Sequence, residues 1–158
     1  MPGKLKVGFA KVDITPPLGI PMGGYWYKRR AKGVYDNLYA RAFVFDDGET
    51  RVALVSCDLL GLEREYTMRI RRFAHELTGM PEDNMLICST HTHTGPQTLN
   101  TLTVNNPIDE DYMALLERRV ADAIFLAQER LRPAAIGAAS GFEDHVAFNR
   151  RYKYSPSN

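Results

Sequence analysis

The run Ser89-Thr90-His91-Thr92-His93-Thr94-Gly95-Pro96 holds the densest chemistry in this chain. It follows Met85-Leu86-Ile87-Cys88, an apolar segment that predicts a buried strand. Residues two apart on a strand share a face, so His91 and His93 are expected to project together from its end. Gly95-Pro96 then stops the strand and turns the chain. Paired imidazoles in such a place suit a metal site or a general acid/base pair. The plainer alternative is two polar side chains hydrogen-bonded to nearby backbone. The doubled histidine followed by Gly-Pro favours a functional site.

A catalytic zinc takes about three protein ligands and keeps one position open. His91, His93 and Asp58 supply part of such a set. Alternatively, one histidine binds metal while the other moves protons or holds a developing oxyanion. Asp58 enters because strand, helix and strand follow one another between Arg51 and His91. That order is a βαβ unit with parallel strands, and ligands bind at the carboxyl ends of such strands. Capping of the following helix is the plainer role for Asp58.

Other His-x-His patterns fit poorly. Gly95 and Pro96 stand where the metallo-β-lactamase pattern has Asp-His. The amidohydrolase barrel places its histidines on the first strand and needs a longer chain. His75 reads as a partly exposed surface residue of a helix, and His145, at the start of a late strand, reads as structural, with approach to the site as the alternative. Neither Ser56 nor Ser89 sits in a Gly-x-Ser-x-Gly elbow.

The elements that must position these groups are legible as patterns. Leu5–Ala10 alternates like a strand that Val12–Thr15 extends, and Pro16-Pro17 ends it. Residues 18–37, rich in Gly, Tyr and basic side chains, form a long loop, a type that tends to be functional. Leu38–Asp46 and Thr50–Asp58 read as strands joined at Asp47-Gly48. Glu63–Thr78 has helical spacing on Met68, Ile70, Phe73, Ala74 and Leu77, closed by Gly79 and Pro81. Asp109 caps a long helix carrying Tyr112, Leu115, Leu116, Val120, Ala123, Ile124 and Ala127 on its apolar side. Thr98–Asn106 reads as a polar loop, and Ala134–Ser140 and His145–Phe148 as two further strands. The fold class is α/β, with a mixed β-sheet core and flanking helices in one domain spanning 1–158.

The 158 residues suffice for one core, and the net charge is only +1. Lys28-Arg29-Arg30 reads as a solvated loop, and Arg69-Ile70-Arg71-Arg72 as the exposed face of a helix. Nothing here resembles a nucleic-acid footprint. No apolar run is long enough to span a bilayer, so membrane contact would be peripheral. Met1-Pro2-Gly3-Lys4 leads almost directly into a strand-like segment, so no signal peptide is expected, and a mature secreted protein would look the same. Cys57 and Cys88 lie in apolar surroundings without zinc-finger spacing and read as two buried thiols. They could pair only if their strands are neighbours, so cytoplasmic and secreted settings both remain open.

Several blocks, in order over nearly the whole chain, resemble the neutral/alkaline (non-lysosomal) ceramidase family. Val12-Asp13-Ile14-Thr15-Pro16-Pro17-Leu18-Gly19 is similar to the family's opening motif, and Pro21-Met22-Gly23-Gly24-Tyr25 to its continuation. Leu38-Tyr39-Ala40-Arg41-Ala42 and Val55-Ser56-Cys57-Asp58-Leu59-Leu60-Gly61 resemble the next blocks. Ser89–Pro96 resembles its Thr-His-Thr-His-(Ser/Thr)-Gly-Pro signature, and Phe148-Asn149-Arg150 its Asn-Arg motif. The resemblance implies a zinc-dependent amidase that cleaves the N-acyl bond of ceramide or a related lipid by metal-activated water. It makes His91 a zinc ligand and puts His93 beside the metal, where it serves substrate or oxyanion. Arg150 points into the same pocket, and Asp58 orients a ligand or water. From this we infer that Gly23, Gly24 and Tyr25 shape one wall for substrate.

In that family the remaining ligands (another His, a Glu and a Tyr) come from a later part of a longer domain. The chain therefore resembles an amino-terminal portion. Zinc held by an incomplete set should bind weakly, and the isolated chain should be a poor enzyme. Uncovered apolar edges would favour self-association or a partner. Two alternatives stand beside this reading: a metal hydrolase of a non-lipid amide or ester, and an inactive segment that binds a partner or needs a second segment.

Overall fold

The structure, a computed structural model, describes residues 5–100, 106–143 and 145–146. Five strands form one sheet: β1 (Lys6–Asp13), β2 (Tyr39–Asp46), β3 (Arg51–Cys57), β4 (Met85–Ser89) and β5 (Arg132–Pro133), in the order β4-β3-β2-β1-β5. β3 and β4 are parallel, and the other pairs are antiparallel. The sheet is mixed, as the element order predicts, and the expected parallel strands are immediate neighbours.

The β2–β3 turn shows how local chemistry sets register. Gly48 takes φ +95°, where a side chain would be strained. Asp46 accepts from Gly48 N, and Asp47 accepts from the amides of Glu49 and Thr50. The Arg51 guanidinium, first among its partners, holds the Asp46 carboxyl below its ordinary range.

Helices α1 (Arg64–Thr78) and α2 (Glu110–Glu129) pack against each other, with α2 lying on β1 and β2. α1 stops at Gly79, whose φ of +69° lets its amide bond back to His75 O. Asp109 caps α2 through Tyr112 N. The inner face of the sheet is built from small residues: Gly8, Ala10, Ala40, Ala42 and Ala53, with Val44, Val55 and Cys57. Small side chains let a helix approach closely. Tyr66, Ile70 and Ala74 of α1, and Met113, Leu116, Val120, Ile124 and Ala127 of α2, fill the remaining space. Buried Tyr112 donates its hydroxyl to Ile14 O at 2.6 Å, and burial raises its phenol well above the ordinary value.

Several expectations need correction. Leu77 and Leu115 are exposed, because they fall at the margins of the two apolar stripes. Arg69 is not simply solvated. Its guanidinium spans to Glu117 at 2.7 Å, a buried carboxylate on α2. Residues 134–143 are not a strand: within the described residues they have no ladder partner beyond Arg132–Pro133. His145 and Val146 form a bend, and residues 147–148 of the second expected strand lie outside the described residues.

β4 is not fully buried. Leu86 is 56% exposed and Cys88 is exposed. Phe9, Phe43, Leu54 and Leu86 form one register row across four strands on the face away from the helices, and all are exposed. The cysteine strands are neighbours, but Cys57 sits opposite Ser89 and Cys88 opposite Ser56, so the thiols point to opposite faces and both are free. Burial, then the Asp58 charge, pushes the Cys57 thiol up to about 12. At mildly alkaline pH a thiol reagent should therefore modify Cys88 in the native chain and reach Cys57 only after unfolding. Equal labelling of both in the native state would contradict this packing.

Candidate active site

β4 ends at Ser89, and Thr90 N continues the pairing by donating to Cys57 O. The backbone then turns at His91, whose φ of +64° is left-handed. The histidines thus meet by a turn and not by strand alternation, a correction to the sequence reading. A histidine at such a φ is uncommon and tends to occur where surrounding structure over-determines it. Here the fixed partner is Leu60 O, 2.8 Å from His91 Nδ1. A carbonyl only accepts, so Nδ1 is the donor in this contact, and the tautomer it selects carries its lone pair on Nε2. That Nε2 stands 3.5 Å from His93 Nε2, with ring centroids 5.0 Å apart and planes at 79°.

The loop that carries Gly23, Gly24 and Tyr25 packs against His93. Gly23 N donates to Gly95 O, Gln97 N to Pro21 O, and Met22 bridges Pro96. Gly24, at φ +87°, lies directly against the His93 ring: a Cβ there would come within 2.6 Å of His93 Cγ. Tyr25 meets the same ring edge-on at 5.9 Å. Arg29 stacks 3.8 Å above the Tyr25 ring and donates to His93 O and Gly23 O. Arg29 is thus half-buried and built into the site, contrary to the solvated loop expected for Lys28-Arg29-Arg30.

Asp58 lies just past β3, beside the start of the histidine run, as the βαβ order predicts. Its carboxylate accepts from Arg41 Nη1 at 2.7 Å and Tyr39 N at 3.0 Å. It therefore clamps the ends of β2 and β3. The chain leaving it, Leu59–Gly61, supplies the carbonyls that hold His91 and Thr98. Arg150 lies outside the described residues. On the far side of Thr94-Gly95-Pro96 is a cavity of about 400 Å³, walled by Ile20, Met22, Ala31, Val34 and Leu38.

The family described as neutral/alkaline non-lysosomal ceramidase, N-terminal, matches residues 5–156. The chain belongs to this family. It is 40% identical to a neutral ceramidase of Drosophila pseudoobscura pseudoobscura over 98 residues, 58% of this chain and 14% of that one. It is 30% identical to a neutral ceramidase of Mycobacterium tuberculosis over 160 residues, 92% of this chain and 25% of that one. The crystal structure of neutral ceramidase from Pseudomonas aeruginosa superposes with a TM-score of 0.72 at 25% identity, covering 82% of this chain and 22% of that one. The chain thus spans a quarter or less of the length of these relatives.

The donor set of this ceramidase-family chain fits zinc in part. Two nitrogens on one tetrahedral zinc stand about 3.4 Å apart, close to the 3.5 Å between the Nε2 atoms. The Leu60 carbonyl plays the outer-shell role that fixes a ligating imidazole's tautomer. Two ligands are fewer than zinc needs, and among the described residues no cluster of three or more His, Cys, Asp or Glu could hold a metal. The sequence reading missed Arg29, Arg41 and Leu60. Leu60 acts only through its carbonyl, which leaves no trace in residue type. Arg29 had a signal, four residues beyond Tyr25 in an aromatic-basic loop, but its partner lies 64 positions away.

Proposed function

We propose that the protein carrying this chain is a zinc-dependent amide hydrolase of neutral ceramidase type that cleaves the N-acyl bond of ceramide or a related N-acyl lipid. The observation that carries this reading is the His91–His93 pair, with facing Nε2 atoms 3.5 Å apart. His91 Nε2, freed by the Leu60 contact, and His93 Nε2 would hold the metal, with further ligands from outside the described residues. Zinc, when bound, supplies Lewis-acid activation of water and of the acyl carbonyl. His93 is also placed to donate to the carbonyl oxygen, and the family resemblance adds Arg150 to that task. Asp58 acts as a positioning residue, holding the strand end from which Leu60 reaches His91. Gly23 and Gly24 admit the His93 ring, and Tyr25 lines the wall. The apolar cavity beside Pro96 favours a lipid over a polar amide.

The test is release of fatty acid from ceramide, compared with short acyl amides and esters, by the zinc-loaded protein. Cleavage of ceramide should dominate and should vanish in His91→Ala. Equal turnover of a polar amide would replace the lipid reading, and full activity of His91→Ala would remove the histidine from the mechanism. These 158 residues alone should turn over far more slowly than a full-length relative. Comparable rates would show that the ligand set is complete without further residues.

A further inference from the structure

Residues 19–31 fold back on themselves. Gly19 N donates to Ala31 O, Ala31 N to Ile20 O and Met22 N to Arg29 O, and Pro21 bridges Arg30. The tip of this irregular hairpin is Gly23-Gly24-Tyr25-Trp26-Tyr27-Lys28. Trp26 is 78% and Tyr27 61% exposed. A soluble surface rarely carries that much aromatic area in one place without using it. The cations Lys28, at the tip, and Arg30 are exposed on the same hairpin, Lys32 follows its last rung, and Asp36 is the sole carboxylate between residues 18 and 37.

We propose that this hairpin docks the protein onto an anionic lipid bilayer, with Trp26 and Tyr27 at headgroup level and Lys28 against lipid phosphates and carboxylates. Trp and Tyr favour that depth because one end of each ring system is apolar and the other polar. Basic residues beside them add attraction to an anionic surface that neither class supplies alone. The hairpin is built to bear such a contact. Gly23 is tied to Gly95, Pro21 to Gln97, and Met22 O to Asn106, and Arg29 stacks on Tyr25. Because Tyr25 also abuts His93, docking would bring the bilayer surface beside the histidine pair and the apolar cavity. An N-acyl lipid could then pass from membrane to site with little exposure to water. That use rests on the lipid reading of the site, whereas the docking itself does not.

Trp26 is the single tryptophan of the chain, so its emission reports on the tip alone. The experiment adds vesicles of phosphatidylcholine, with and without about a third phosphatidylserine, and needs neither metal nor substrate. The emission should shift to the blue and be quenched by brominated lipid on the anionic vesicles, and added salt should reverse binding. Lys28→Gln should weaken vesicle binding about fivefold. The double variant Trp26→Ala, Tyr27→Ala, followed by co-sedimentation with the vesicles because it has no tryptophan, should bind at least about tenfold more weakly with an unchanged circular dichroism spectrum. Unaltered emission at saturating lipid, equal affinity for neutral vesicles, or normal binding by the double variant would overturn the proposal. So would a blue shift that follows protein concentration without lipid, because a second copy would then be covering the tip. Loss of ceramide hydrolysis in a separate assay would count against the catalytic reading and leave this result standing.

Discussion

Gly24→Ala is expected to lower stability by about 2 kcal/mol and to unseat His93. Two causes act together. The backbone at Gly24 has φ +87°, where a side chain is strained whatever the space around it. The new Cβ would also stand 2.6 Å from His93 Cγ and 2.9 Å from both Cβ and Nδ1 of that ring. Those atoms lie at the root of the imidazole, so no rotation of its far end relieves the clash. The His93 carbonyl is held by Arg29, which restricts retreat of the backbone. The ring must therefore leave its place opposite His91. Histidine-dependent zinc affinity should fall at least about tenfold, in line with losses on disturbing a ligand's support. Gly33→Ala is the control, since a Cβ there meets nothing within 4 Å. If Gly24→Ala binds zinc as Gly33→Ala does, the loop is not a wall of this site.

Gly8→Ala should be the most damaging single methyl added to the fold. Gly8 sits mid-strand in β1, opposite Val44, where α2 crosses the sheet. A Cβ there would lie 1.8 Å from Ala127 O and 2.9 Å from Ala127 C, both backbone atoms. No side-chain rotation can make room, so the carboxyl end of α2 must lift by more than about 1 Å. Val120, Ile124 and Ala127 would lose contact with the alanine face of β1 and β2 together. A loss of at least about 3 kcal/mol is expected, at the upper end for overpacking, and much of the stability of a typical domain. Urea denaturation of the variant decides the matter. A midpoint indistinguishable from the parent would mean that α2 does not rest on β1 at this point.

Features encoded by neighbouring residues were readable without the structure. Asp47-Gly48 closes its turn, Gly79 ends α1, and Asp109 caps α2, because each acts on backbone groups within four positions. Strand, helix and strand from Arg51 to Ser89 did place Asp58 beside the histidine run. What the pattern did not carry was long-range. The left-handed turn at His91 depends on a carbonyl 31 positions earlier, and a histidine there is coded no differently from one in a strand. The same limit hid Arg29 and left Lys28-Arg29-Arg30 read as solvated loop. In Ala134–Ser140 the failure ran the other way. Alternation predicted a strand, but a strand exists only with a ladder partner. Small residues at Gly8, Ala10, Ala40 and Ala42 did announce a close helix, a signal visible only once they share a face.

The proposed function requires His91 and His93 to act as one cation site. The most direct measurement follows the ring signals of the histidines by NMR during zinc titration of this chain, with His91→Ala and His93→Ala alongside. His91 and His93 should respond together with a single affinity, His75 on the surface of α1 should not, and either substitution should abolish the response. Responses of His91 and His93 with separate affinities, or none at all, would show that the two rings are neighbours without being a site.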